Sequence, residues 1–352
     1  MGIKLRLKQE LRRGMQQCHA RWHRSLAPFC LPREREKLAA IHALARVQES
    51  KLPVDLKHAA GKLVLFSHYH PRGWLQRCIR RELIDLRARG WPVLLLSGDL
   101  DSDALSWCEN NGIGWLRRRN EGRDFGAFQD GWLWLQHHSL APGLQQLILL
   151  NDSVYPVTDL EATSWPSFLD HQGDEVLGFS DCFQNGYHLQ SYGLHLPAAV
   201  IQQPWWDSFW RAYRGWGGTY VAIREGEIGL SQLLLNQGVE MRALHPVSCL
   251  RAKIASQELL EQLQQYCSDS AGVWIQQQLL STGFSSFNFY STAHYWAIPL
   301  LMDGCPFLKR WLLESNEKQM LDPLLVAGGK AGLVDPQELA DYLRPPVIGY
   351  AS

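Results

Sequence analysis

Between Leu144 and Val157 the chain reads LQQLILLNDSVYPV, an apolar run that ends abruptly in Asn151-Asp152-Ser153. The run is short and bounded by Pro142-Gly143 and Pro156, the pattern of a strand buried in a parallel sheet. Such a strand carries Asp152 at its C-terminal end, and in open α/β sheets ligands bind in the crevice outside those ends. Asp152 is therefore placed to hold a substrate or its metal ion, or, as Asn, Asp and Ser also do, to make a turn. A second segment, Arg119 to Phe128 (RNEGRDFGAF), opens a strongly apolar helical pattern. Gly122 lets the backbone approach a ligand, Arg123 can fork onto phosphate oxygens, and the following helix offers free amides at its N-terminus. A glycine-relieved turn with a solvated Arg123-Asp124 pair fits the same residues. The third segment, Ile223 to Gly238, is a helix by the spacing of Ile228, Leu233 and Leu234, with Gly238 as its C-cap. Glu225 and Glu227 fall in its first turn, where they serve either as partners of the helix dipole or, pointing into a crevice, as a general base.

In this order the three segments resemble the rhamnan synthesis protein F family of glycosyltransferases. The matching elements are Tyr69 in LFSHYHPRG, Asn120 to Gly126, Asn151 to Tyr155, His188-Leu189-Gln190-Ser191-Tyr192 and Glu227-Ile228-Gly229-Leu230. A late stretch matches as well, with Thr292, His294 and Trp296 followed by Gly304-Cys305-Pro306-Phe307-Leu308-Lys309-Arg310. The resemblance runs from Leu63 to Leu313. The chain departs from the family pattern at His70, at Pro156 and at Tyr290-Ser291-Thr292.

The resemblance implies an α/β protein of the GT-A type, moving a sugar from a nucleotide diphosphate donor to a cell-surface polysaccharide or lipid-linked glycan. Rhamnose is the family's emblem, not a property read from this chain. Tyr69 and its loop would contact the nucleobase, with Asn120, Gly122, Arg123, Asp124 and Asn151 around ribose and diphosphate. Asp152 would be the metal-holding carboxylate, for manganese or magnesium. GT-A enzymes usually present Asp-x-Asp there, and Asn151-Asp152-Ser153 leaves metal use open. For an inverting reaction Glu227, with Glu225 behind it, would take the acceptor proton, and His188, Gln190 and Tyr192 would line the acceptor side. The incomplete acidic motif also suits a second reading, a noncatalytic subunit of a polysaccharide assembly complex.

The elements that must position these residues alternate along the chain. LVLFSHY reads as a strand, Trp74 to Arg89 as a helix, VLLLSG as a strand, Asp103 to Asn110 as a helix, Ile113 to Leu116 as a short strand and Phe125 to His137 as a helix leading to the LILL strand. Such alternation gives a parallel sheet covered by helices. EVLGFSD, LQSYGLHL and Glu240 to Leu244 read as further strands. The expected organisation is a basic N-terminal segment (1–60), a GT-A-like domain (61–250) and a helical C-terminal appendage (251–352).

Between Met1 and Ser25 seven Lys or Arg stand against one Glu, with Ile3, Leu7, Leu11 and Met15 at every fourth position. This basic amphipathic pattern suits an anionic membrane surface or a helix packed on the catalytic domain. Cys18, His19, His23 and Cys30 lack zinc-site spacing. Lys and Arg equal Asp and Glu at 35 each, so no global field draws the chain to nucleic acid. Eight scattered cysteines without Cys-x-x-Cys spacing suit a reducing compartment, and no apolar run is long enough to span a bilayer. The expectation is a protein of the cytoplasmic side, peripheral at the inner face of the plasma membrane. Most of the 15 tryptophans are expected in packing roles, with two or three facing ligand.

Overall fold

Runs such as Leu63 to Phe66 and Leu147 to Leu150 are apolar at every position, so they require cover on both faces. The computed structural model, which describes residues 43–56, 61–215, 218–254, 261, 292–295, 297–310, 313 and 334–343, supplies that cover. The order is β1 (Val47–Lys51), β2 (Lys62–His68), α1 (Arg77–Ala88), β3 (Val93–Ser97), α2 (Ser102–Asn110), β4 (Gly114–Arg118), α3 (Arg123–His137), β5 (Gln146–Asn151) and β6 (Val154–Pro156). There follow α4 (Trp165–Leu169), β7 (Val176–Cys182), β8 (His188–Leu189), β9 (Gly193–Pro197), α5 (Ala198–Ile201), α6 (Pro204–Ala212), α7 (Gly229–Asn236), β10 (Met241–His245) and α8 (Val247–Ile254). The described C-terminal residues form α9 (Thr292–Tyr295), α10 (Ala297–Met302), β11 (Phe307–Lys309) and α11 (Pro336–Leu343).

The result is a mixed α/β fold around a nine-stranded sheet in the order β1-β4-β3-β2-β5-β9-β7-β10, with β8 beside β7. Strands β4, β3, β2 and β5 are parallel, β1 and β9 run against their neighbours, and β7 and β10 are parallel to each other. Because β3 and β4 lie to one side of β2 and β5 to the other, the winding reverses between β2 and β5. Such a reversal is where open α/β sheets place a ligand crevice, at the C-terminal ends of these two strands.

Alternate side chains serve the two faces. Val64, Phe66, Val93, Leu95, Ile148 and Leu150 join α1, α2 and α4 in one apolar cluster. Leu63, Leu65, Leu94, Leu96, Leu147 and Leu149 join α3, α6 and α7 in the other. Each fully buried side chain of this kind contributes about 1.5–3 kcal/mol. Trp165, Trp206 and Trp210 are wholly buried in these clusters, as expected of packing tryptophans, while Trp74 is 41% exposed.

The predicted strand LQSYGLHL divides into β8 and β9: the Gln190 amide still donates to the β7 residue Ser180, but the Ser191 amide turns away to Glu227. Both predicted domain limits also move. Arg46 and β1 already belong to the sheet domain. Ala293, Ala297, Leu300, Leu301, Phe307, Leu308 and Leu339 join the first apolar cluster, and β11 pairs with β6. These C-terminal elements are part of the core rather than an appendage. Residues 1–42 of the basic N-terminal segment, and Trp296, lie outside the described residues. Among the described residues no helix is long and apolar enough to cross a membrane.

Candidate functional site

Strand β2 delivers His68 and the loop residues Tyr69 and His70 to the crevice, and β5 delivers Asn151 and Asp152. Asp152 Oδ2 accepts the Tyr69 amide at 3.0 Å, closing the gap between the two strand ends. Arg310 Nη1 reaches the same oxygen at 3.4 Å. Asn151 Oδ1 accepts the Ser153 amide at 3.0 Å, and its Nδ2 donates to the Ser191 carbonyl at 3.1 Å. Asn151 thus shapes the turn that presents Asp152.

The RNEGRDFGAF segment starts α3 beside this turn. Gly122 and Arg123 both have positive φ, 74° and 57°. For a side-chain-bearing residue such as Arg123 that conformation costs about 1–2 kcal/mol. It turns the chain sharply enough for Arg123 to stand exposed while Asp124 points inward, within 3.4 Å of Ser67 Oγ. The close backbone approach that Gly122 permits is made to the Gly215 carbonyl, not to an open cleft, since a Cβ there would overlap that oxygen. Asn120 is exposed and faces half-exposed Tyr69 across Gly98. Desolvation, with the nearby Asp152 charge, pushes the Asp124 carboxyl up to about 6.

A buried cluster holds this loop. Asp130 on α3 accepts Arg46 Nε at 2.9 Å and Arg118 Nε at 2.5 Å. Arg118 Nη2 also donates to the Glu121 carbonyl. Gln129 accepts from Arg46 at 2.7 Å and donates to the Trp210 and Tyr213 carbonyls, tying α3 to the end of α6. Bidentate pairing of this kind fixes geometry as well as charge.

The third segment departs from its sequence reading. The helix begins earlier, at Thr219, and Ala222–Ile228 is a π-helical stretch before α7, so Glu225 and Glu227 lie within a helix and not in its first turn. The wider π turn separates the two acids. Glu225 points outward to Arg214, whose Nε donates to it at 2.8 Å. Glu227 points inward, and its Oε1 accepts the Ser191 amide at 2.7 Å and the Ser191 hydroxyl at 3.0 Å. Gly226 lies against the Phe125 ring, which a Cβ would overlap, so the start of α3 and the π turn pack as one unit. Gly238, with φ 70°, ends the helix as its spacing predicts.

The HLQSY residues separate by role. His188 Nδ1 lies 2.8 Å from the Gly186 carbonyl. Burial disfavours its charged form, but contact with Cys182 and the Glu227 charge outweigh this and raise its pKa above the usual value. Gln190 is buried, its Oε1 accepting the Ser180 hydroxyl at 2.8 Å and the Ala293 amide at 2.9 Å. The buried Tyr192 hydroxyl lies 2.7 Å from Ser180 Oγ. Gln190 and Tyr192 therefore brace the interior. The side chain that reaches the crevice from this motif is Ser191, through Glu227.

Residues without a sequence-derived role complete the site. Lys309 and Arg310 arrive from β11, where Lys309 is registered with Val154 and the Arg310 amide donates to the Ser153 carbonyl at 3.0 Å. Lys309 Nζ donates to Ser153 Oγ at 3.0 Å and lies 5.8 Å above the Tyr192 ring. Burial lowers the Lys309 pKa, while Glu227, Asp124 and Asp152 act in the opposite sense. His68 is buried, 3.1 Å from Ser97 Oγ, and burial together with Arg310 lowers its pKa to about 4. The signal in the sequence was the Lys309-Arg310 pair after apolar Phe307-Leu308, but it could not show that β11 joins β6.

Among the described residues the donor set shows no three-ligand cage for a divalent ion. Asp152 Oδ2 is already shared by an amide and a guanidinium, and among the described residues no three His, Cys, Asp or Glu are grouped as metal ligands. What the arrangement offers is an electrostatic cluster of three carboxylates and two cations at a strand-end crevice.

Fold and site thus define an α/β protein with a charged crevice at its topological switch point. No family model matches the chain. Over 205 residues it is 26% identical to the uncharacterized protein y4gN of Sinorhizobium fredii (strain NBRC 101917 / NGR234), covering 56% of this chain and 52% of that protein. The chain matches about half the length of this relative.

Proposed function

We propose that the protein is a glycosyltransferase of the GT-A type, similar to the rhamnan synthesis protein F family, which moves a sugar from a nucleotide diphosphate donor to a cell-surface polysaccharide or lipid-linked glycan. The observation that carries this reading is the convergence of Asp152, Asp124 and Glu227 on the crevice where the winding reverses between β2 and β5. Tyr69 and Asn120, facing each other across Gly98, would bracket the nucleobase and ribose. Exposed Arg123 would meet the phosphates. Glu227, oriented by Ser191, would accept the acceptor hydroxyl's proton as the new bond forms. Glu225, paired outward with Arg214, is left with a surface role. His188, through its coupling to Glu227, belongs to the acceptor side.

The test is thermal stabilisation by UDP, dTDP, GDP and their sugars. A ligand held only by the folded state stabilises it by about 2.7 kcal/mol at a hundredfold excess over its dissociation constant. At least one should raise the melting temperature, and transfer from that donor should then be measurable. Unchanged melting with all of them at millimolar concentration would remove the donor site and favour a noncatalytic assembly role.

A further inference from the structure

The Asn151-Asp152-Ser153 turn has one carboxylate where two would bind a metal strongly, and the place of the second acid is taken by a contact with a cation. Ser153 receives the Lys309 ammonium at 3.0 Å, and Asp152 receives Arg310 at 3.4 Å. The backbone of both basic residues is anchored to β6, Lys309 by the β6–β11 register and Arg310 by its amide to the Ser153 carbonyl. The carboxylates around them have partners of their own: Asp152 the Tyr69 amide and Arg310, Asp124 the Ser67 hydroxyl, Glu227 Ser191. Lys309 differs. Its one hydrogen bond among the described residues goes to a neutral hydroxyl, whereas an ammonium carries three donors. It is a half-buried charge with donor capacity to spare, beside the turn at the C-terminal end of β5.

Resting on the glycosyltransferase reading, we propose that Lys309, braced by Arg310, is the fixed cation that receives the diphosphate of the donor, in place of a divalent metal ion. In the transfer, the bond between the anomeric carbon and the diphosphate oxygen breaks and its electron pair stays on that oxygen beside Lys309. The acceptor oxygen bonds to the anomeric carbon, and its proton passes to Glu227. A cation held in a partly desolvated site stabilises the departing charge without reorganising at the moment of reaction.

Calorimetric titration of the full chain with UDP, dTDP and GDP, in EDTA and again in manganese, tests this. The nucleotide that binds should do so in EDTA with affinity within about threefold of that in manganese. Lys309→Met should weaken it roughly 10- to 100-fold, the range for a lost charge-assisted hydrogen bond, and Lys309→Arg should recover most of the loss. Binding that requires manganese, or a folded Lys309→Met that binds as tightly as the wild type, overturns the proposal while leaving the glycosyltransferase reading standing. If no nucleotide binds in either buffer, both fall. The wild-type comparison decides the metal question even if Lys309→Met does not fold.

Discussion

Two charged clusters flank the Arg119 to Asp124 loop, and they are built in opposite ways. Behind it, Arg46, Arg118 and Asp130 are sealed in the interior, with side-chain exposures of 1%, 2% and 0%, and Asp130 accepts on both oxygens. In front of it, Asp124, Asp152, Glu227, Lys309 and Arg310 meet at longer range, through amides, hydroxyls and one 3.4 Å ion pair. The first arrangement spends all its charge on geometry. The second meets through longer contacts at the strand ends, where the proposed donor would lie, and the rigid cluster behind it anchors the loop between them, since Arg118 holds the Glu121 carbonyl from which the loop turns. Buried ion pairs are weak evidence of net stability, but breaking one leaves an uncompensated charge.

The largest effect should therefore come from Asp130→Asn. With Arg46 and Arg118 left without their carboxylate, unfolding free energy should fall by about 3–5 kcal/mol in urea titration, and any nucleotide binding should weaken as a consequence. Retention of wild-type stability would mean that the interior cluster is not the scaffold described. Next comes the contrast between the two acids of the π turn. Glu227→Gln should reduce transfer on the order of 10²- to 10⁴-fold while donor binding persists. Glu225→Gln, which breaks only a part-exposed pair with Arg214, should cost under about 1 kcal/mol and leave transfer near normal. Equal losses of transfer in the two variants would contradict the inward and outward assignment.

The last effect is a pH dependence confined to the front cluster. Asp124 has its carboxyl raised from 3.8 to about 6 in the folded state, first by desolvation and then by Asp152. The stability it contributes is fully present below the unfolded value and is lost as pH rises through about 6. Allowing for its part exposure, the loss is roughly 1–2 kcal/mol. Melting temperatures from pH 4 to 7 should show this decline in the wild type and a flatter profile in Asp124→Asn. A steeper profile in the variant would reverse the sign assigned to the group.

Much of the fold was legible in the residues. Periodicity placed β2, α1, β3, α2, α3, β5 and β7 within a few positions, because continuous apolar runs and helical stripes are local consequences of burial on a sheet with two covered faces. The run into Asn151-Asp152-Ser153 fixed a carboxylate at a strand end for the same reason. Residue types also marked Arg123, Asp124 and the Glu225-Glu227 pair as candidates, without deciding between their roles.

Tertiary structure decided the rest, where the answer depended on partners far away in sequence. Nothing in Glu225-Gly226-Glu227 says that a π turn directs one acid to Arg214 and the other to Ser191; the packing of Gly226 on Phe125 does. Gln190 and Tyr192 look like Ser191 in a polar motif, yet Ser180 and Ala293 claim them for the interior. Gly122 was marked for close approach by its type, but only the loop after α6 shows that the approaching atom is a backbone carbonyl. Lys309 and Arg310 became part of the site through pairing of β11 with β6, more than 150 positions away in the chain. The sequence by itself determined which segments are buried and where charge meets a strand end, because those depend on neighbours one to four residues away. Which charges face one another was settled by the ladder and the packing of the two faces, because electrostatic contact depends on distance in space.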